Sequence, residues 1–164
     1  MKITHLETMH ADAGWRSFSF LKIETDEEIT GWSEFSDINE AARIQGMSAL
    51  IQSFSDLLIG QDPRSVELLS GNLIAATRQS QSGLNHQAIG AIQNALIDIT
   101  AKSLNVPVYR LFGGPVRTRI PLYWSHFGTY RLYPQVQDIL GLPLITTLAE
   151  FAEHALDAKA AGYR

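Results

Sequence analysis

The hydrophobic pattern of this chain first changes period near residue 35, and that switch limits what it can fold into. Before it, apolar and polar residues alternate. Leu21 and Ile23 stand beside Lys22 and Glu24, as a half-buried strand requires. Residues 3–9 read as a first strand, His10-Ala11-Asp12-Ala13-Gly14 as a loop, and residues 18–25 as a second strand. Thr25-Asp26-Glu27-Glu28 is a polar turn, and residues 29–34 return as a third strand. After the switch, Ile44, Met47, Leu50, Ile51, Phe54, Leu57 and Leu58 fall at helical spacing over residues 40–59. Strands in one block and helices in the next predict an α+β fold: a three-stranded antiparallel meander followed by helices.

The helical block is punctuated. Gly60 stops the first helix, and Asp62-Pro63 predicts an N-cap followed by a proline in the first turn, with a helix running to about residue 78. Residues 79–83 are a polar loop. A third helix over residues 85–103 buries Ile89, Ile92, Leu96 and Ile99, and Ala88 and Ala95 on the same face allow close approach. Gly113-Gly114-Pro115 breaks the chain, so residues 1–114 are expected to form one domain and residues 115–164 the start of another. In that second part residues 120–125 read as a strand and residues 127–146 as a long loop. Residues 148–161 read as a helix with a stripe of Leu148, Phe151, Ala155 and Leu156. A single strand–helix unit cannot cover both faces of its strand, so a C-terminal partner is expected to be missing.

Composition narrows the function. Charged residues are 18% and hydrophobic ones 45% of the 164, ordinary for a folded domain. The net charge of −4, with no block of Lys or Arg, gives neither nucleic acid nor a membrane surface a reason to bind. There is no cysteine, hence no disulfide, thiolate metal site or thiol nucleophile. No apolar run approaches the roughly 20 residues of a membrane span, and Met1-Lys2-Ile3-Thr4-His5 lacks the apolar core of a signal peptide. A cytoplasmic location is the expectation.

One linked pair of segments is far more specific. Residues 88–102 read AIGAIQNALIDITAK, and Pro107-Val108-Tyr109-Arg110-Leu111-Phe112-Gly113-Gly114 follows at fixed spacing. Taken alone, Asp98 and Lys102 are an ordinary surface pair four residues apart. Together with Gly31-Trp32-Ser33-Glu34 upstream, the arrangement resembles the mandelate racemase/muconate lactonizing enzyme family of the enolase superfamily. The resemblance covers the N-terminal capping domain and the first strand–helix unit of its barrel.

That resemblance implies proton abstraction next to a substrate carboxylate, with Mg2+ stabilising the enediolate. Activities of this kind include racemases, cycloisomerases and acid-sugar dehydratases. In such enzymes the metal ligands and bases stand at the ends of later barrel strands. The four lysines here, Lys2, Lys22, Lys102 and Lys159, include no Lys-x-Lys. The chain is therefore expected to be a catalytically inactive N-terminal fragment that binds no metal itself, Mg2+ belonging to the full-length parent. It would contribute substrate-capping loops. These map to residues 9–17, with Asp12, Trp15 and Arg16, and to residues 35–40, with Asp37 and Asn39. A guanidinium beside an aromatic ring suits a carboxylate or polyol. Ser125 at the end of the first barrel strand is the strongest single candidate contact, with His126 its neighbour. The substrate implied is a small carboxylate or acid sugar, and family members usually form homo-oligomers. The competing reading is a non-catalytic binding or assembly module that reuses the cap fold. An unfinished strand–helix unit argues against it, because a self-sufficient module has no use for one.

Overall fold

Cross-strand pairing outruns turn chemistry in the first hairpin. The computed structural model of the protein describes residues 1–13, 17–36, 46–80, 82–124 and 128–163. Strand β1 (Ile3–Asp12) pairs antiparallel with β2 (Ser17–Thr25), and β2 pairs antiparallel with β3 (Thr30–Phe35), giving the order β1-β2-β3. His10, Ala11 and Asp12 face Ser19, Phe18 and Ser17 across the ladder. The expected loop at His10-Ala11-Asp12 is thus corrected to strand. Continuing the ladder satisfies backbone groups that a loop would leave to water, and nothing in this stretch forbids extended backbone.

Alternation along the strands decides which face is covered. Ser19, Leu21, Ile23 and Thr25 of β2 are buried together with Gly31, Ser33 and Phe35 of β3. The covering helices are α1 (Gly46–Ser53), α2 (Ser55–Leu58), α3 (Val66–Ala76) and α4 (Leu84–Ser103). One apolar cluster joins Leu6, Leu21 and Ile23 of the sheet to Met47, Ile51, Leu58, Leu73, Ile92, Leu96 and Ile99 of the helices. Fully burying each such side chain contributes about 1.5–3 kcal/mol.

Two helix boundaries differ from the sequence reading. The single helix expected over residues 40–59 is interrupted at Phe54, and its described part starts at Gly46. The helix after Asp62-Pro63 begins only at Val66. Asp62 does not cap it; its carboxylate instead accepts from the Arg64 backbone N–H at 3.0 Å and from the Arg64 guanidinium at 2.7–3.2 Å. A charged partner two residues away takes the acceptor that the helix would have used. The same bonds, the guanidinium's foremost, hold the Asp62 carboxyl down to about 2.

The chain divides into two compact units, Met1–Gly114 and Pro115–Arg164. Helix α5 (Val108–Leu111) closes the first, and Gly113 and Gly114 after it both take left-handed φ, +91° and +100°. In the second unit residues 120–124 carry no sheet pairing, which corrects the expected strand. A strand exists only by virtue of a neighbour, and none of the described residues pairs with this segment; Ile120 is 74% and Tyr123 75% exposed.

The expected loop at 127–146 is likewise corrected. It contains a 3-10 turn, Thr129–Leu132, and helix α6 (Pro134–Leu140), started by a proline in its first turn and ended by Gly141 at φ +62°. Helix α7 (Leu148–Ala160) starts with a full capping box. Thr147 Oγ1 accepts from Glu150 N–H at 3.2 Å, and Glu150 Oε2 accepts from Thr147 N–H at 3.0 Å. The face that α7 buries carries His154 and Ala158 with half-buried Phe151 and Ala155 beside them, whereas Leu148 is 90% and Leu156 68% exposed, so only half of the expected apolar stripe is covered. No described helix is long and apolar enough to cross a membrane.

Candidate functional site

The residues that flank the two expected capping segments lie at one end of the sheet. Asp12 pairs with Ser17 across the closing rung of the first hairpin, so the chain between them leaves from that end. Phe35, the last residue of β3, pairs with Ser19, two residues along β2 from Ser17. β3 therefore ends beside the closing rung of the first hairpin.

His10 ties these roots together. Its Nδ1 shares a hydrogen bond with Ser19 Oγ at 2.9 Å, and its Nε2 shares one with Ser48 Oγ of α1 at 3.2 Å. A neutral imidazole offers one donor and one acceptor, and a hydroxyl can serve as either, so the two serines suit both tautomers. The ring also packs edge-on against Phe35, with centroids 6.4 Å apart and planes at 76°. β1, β2, β3 and α1 thus each place one residue on this cluster. Neither serine stands near His10 in the sequence. The signal was present but faint: His10 and Ser19 become opposite only once the strand is extended past Met9, and Ser48 arrives from a helix 38 residues away.

The sequence candidates Trp15, Arg16, Asp37, Ser125 and His126 lie outside the described residues, as does Asn39. Of the loop residues named with them, Asp12 is described, and it ends β1. Among the described residues no group of three His, Asp or Glu side chains is arranged to hold a metal ion. The described residues therefore offer no donor set that fits magnesium. A shallow depression of about 260 Å³ in the second unit is lined by Arg119, Ile120, Pro121, Leu122 and Gly162, with Arg119 its one charged group.

The signature segment has a structural task that its spacing alone did not reveal. α4 lies against the outer edge of β3. Asp98 Oδ2 accepts from the Trp32 backbone N–H at 2.9 Å, and Lys102 Nζ donates to the Thr30 carbonyl oxygen at 2.7 Å. The two side chains also pair with each other at 2.7 Å. They are more than the ordinary surface pair their spacing suggested: both hold edge groups of the sheet that no strand among the described residues reaches. Gly31 sits between those contacts. A Cβ there would meet the Ala95 carbonyl oxygen of α4 and lie 2.6 Å from Ile99 Cγ1, so only glycine lets the helix approach.

Comparison with known proteins points the same way. Residues 4–113 match the family described as mandelate racemase / muconate lactonizing enzyme, N-terminal domain. A D-galactonate dehydratase of Variovorax paradoxus is 40% identical over 139 residues, which are 85% of this chain and 35% of that protein. The structure of a candidate L-alanine-DL-glutamate epimerase from Burkholderia xenovorans, bound to magnesium and fumarate, aligns with a TM-score of 0.86. It is 37% identical, covering 97% of this chain and 38% of that one. A candidate galactarate dehydratase from Agrobacterium radiobacter, holding Na and L-malate, aligns with a TM-score of 0.68 at 32% identity, over 75% of this chain and 30% of that one. The chain spans about a third of the length of the curated relatives it matches.

Proposed function

Because the chain belongs to the mandelate racemase/muconate lactonizing enzyme family of the enolase superfamily, we propose that it is the substrate-capping part of a magnesium-dependent acid-sugar dehydratase. The observation that carries this reading is the common root of the two capping segments: Asp12, Ser17 and Phe35 lie within two rungs of one another at one end of the sheet. In this reading two segments with neighbouring roots serve one small molecule. The His10 cluster gives both a shared, rigid base.

In this reading Trp15, Arg16 and Asp37 supply the cap's contacts, and Ser125 with His126 the contact at the start of the barrel. Arg16 meets the substrate carboxylate, Asp37 accepts from sugar hydroxyls, and Trp15 covers a C–H face. Residues 115–164 are the beginning of that barrel. The bases and the carboxylates that hold Mg2+ belong to the rest of the enzyme, and this chain alone turns nothing over. Bound there, the ion would stabilise the enediolate formed when the α-proton is removed. Dehydration is favoured among the family's reactions because curated relatives such as the Variovorax paradoxus protein are D-galactonate dehydratases. The enzyme is further proposed to be cytoplasmic and homo-oligomeric, with neither nucleic acid nor membrane as partner.

The test is dehydration by the complete protein that carries this chain. With Mg2+ and an aldonate or aldarate such as D-galactonate, loss of water must give a 2-keto-3-deoxy acid, which a carbonyl reagent detects. Arg16→Met, Asp37→Asn and Ser125→Ala should each raise KM. Turnover by the 164-residue chain alone would overturn the capping assignment, and no turnover of any sugar acid by the complete protein would overturn the dehydratase reading.

A further inference from the structure

β3 is an outer strand of the sheet, and among the described residues no strand lies beyond it. An outer strand presents amide and carbonyl groups with which another chain can pair. Two of these groups flank Gly31. The Thr30 carbonyl oxygen accepts from Lys102 Nζ at 2.7 Å, and the Trp32 N–H donates to Asp98 Oδ2 at 2.9 Å. In a parallel ladder one residue of the neighbouring strand performs both tasks, donating to the carbonyl before the residue it faces and accepting from the amide after it. Asp98 and Lys102 divide those tasks between them, opposite Gly31.

Spacing explains why a helix can do this. Four residues of a helix rise about 6 Å and two residues of a strand about 6.6 Å, so an i, i+4 pair spans the distance from Trp32 back to Thr30. The helix must also lie close, and Gly31 allows it, since a Cβ there would meet the Ala95 carbonyl oxygen. The two side chains hold each other at 2.7 Å, yet Asp98 stays 25% and Lys102 45% exposed. They stand between the edge and solvent.

We propose that Asp98 and Lys102 form a block against strand addition at β3, and that the segment they exclude is β3 from a second copy of this chain. The register carries the choice of partner. Set antiparallel about a two-fold at Trp32, the strands place Trp32 opposite Trp32 and Thr30 opposite Glu34 on the solvent face, with Gly31 opposite Ser33 on the other. Aromatic meets aromatic, hydroxyl meets carboxylate, and no like charges face each other. The small pair brings no bulk toward α4. Paired strands lie about 4.8 Å apart, whereas packed helices need about 8–10 Å, so the α4 helices of two folded copies could not both stay in place. The excluded strand therefore belongs to a copy whose α4 is not yet docked. The role is independent of any substrate.

A labelled peptide of residues 29–36, ITGWSEFS, is the probe, titrated against the full 164-residue chain. Its affinity should rise at least tenfold when Asp98→Ala and Lys102→Met are combined, and at least threefold in Lys102→Met alone. Hydrogen exchange at the Trp32 amide should speed up in the double variant and slow again when the peptide binds. Methylating the peptide's Gly31 and Trp32 nitrogens, which removes a donor toward each edge, should abolish the gain. Wild-type affinity in both variants would overturn the block. Equal binding of the methylated peptide would overturn strand addition, and equal binding of a scrambled peptide would overturn the choice of β3. If the double variant does not fold, Lys102→Met decides alone, because it removes one half-exposed side chain and leaves Asp98 on Trp32.

Discussion

The Trp32 backbone N–H donates to Asp98 Oδ2 at 2.9 Å, across 66 residues of sequence. A helix side chain thereby occupies a hydrogen-bonding position that another strand would otherwise fill. The Lys102 ammonium does the same for the Thr30 carbonyl oxygen.

Removing that acceptor should show directly. Asp98→Ala leaves the Trp32 N–H and the Lys102 ammonium without their carboxylate and should cost about 1–2 kcal/mol in urea unfolding. Asp98→Asn keeps an acceptor oxygen and should cost about half as much. Wild-type stability in Asp98→Ala would mean that water replaces the contact at no cost.

Gly31 and Gly71 offer a contrast within one domain. Gly31→Ala forces a methyl group onto the α4 backbone and should destabilise by about 3 kcal/mol, the upper end for overpacking, since the obstacle is main chain. Gly71, exposed in α3 with nothing within 4 Å of a Cβ, should gain about 0.5–1 kcal/mol on replacement by alanine. Thermal melts of the two variants should move in opposite directions.

Asp62 sets an acid limb of stability. Its folded pKa of about 2 lies below the ordinary value of 3.8, so the stabilisation is fully present above pH 3.8 and is lost as pH falls through about 2. The carboxylate is 39% exposed, and solvent screening leaves at most about 1 kcal/mol of it. Asp62→Asn should flatten the stability curve between those pH values and leave neutral stability lower by that amount. Parallel wild-type and variant curves down to pH 2 would contradict this.

The capping box of α7 should matter locally. Thr147→Ala removes the acceptor of the Glu150 N–H and should cost about 1 kcal/mol, read as faster amide exchange over the first turn of α7. Glu150→Gln keeps part of the box but loses the charge of a carboxyl that Thr146 and Thr147 hold below the usual carboxylate range, so its smaller cost should be present at neutral pH and vanish in acid. Equal exchange in Thr147→Ala and wild type would remove the box from the account.

What was legible in the sequence follows from the range of each interaction. The period-two run from Leu21 to Ile23 and the helical run from Ile89 to Ile99 are local patterns, and both elements form where the pattern lies. Asp62 misled because its cap geometry competes with Arg64 two residues away, a choice that composition does not decide. Helix α6 was missed because its seven residues, bounded by Pro134 and Gly141, are too short to display a period. At the candidate site the sequence offered residue types, such as Trp15 with Arg16 and Ser125 with His126, but not the cluster at the hairpin end. His10 looks isolated in the sequence, and its partner Ser48 comes from 38 residues away.

The sealed edge of β3 also sets a timetable for synthesis. The meander is complete by Phe35, whereas its sealing groups, Asp98 and Lys102, lie more than 60 residues further along the chain. At about 5–20 residues per second, a ribosome leaves that edge unsealed for roughly 3–13 s. Throughout that interval Thr30 and Trp32 present a carbonyl and an amide to any passing strand. The nascent protein is therefore most open to mispairing before α4 emerges, and a pause between codons 36 and 98 would lengthen that exposure.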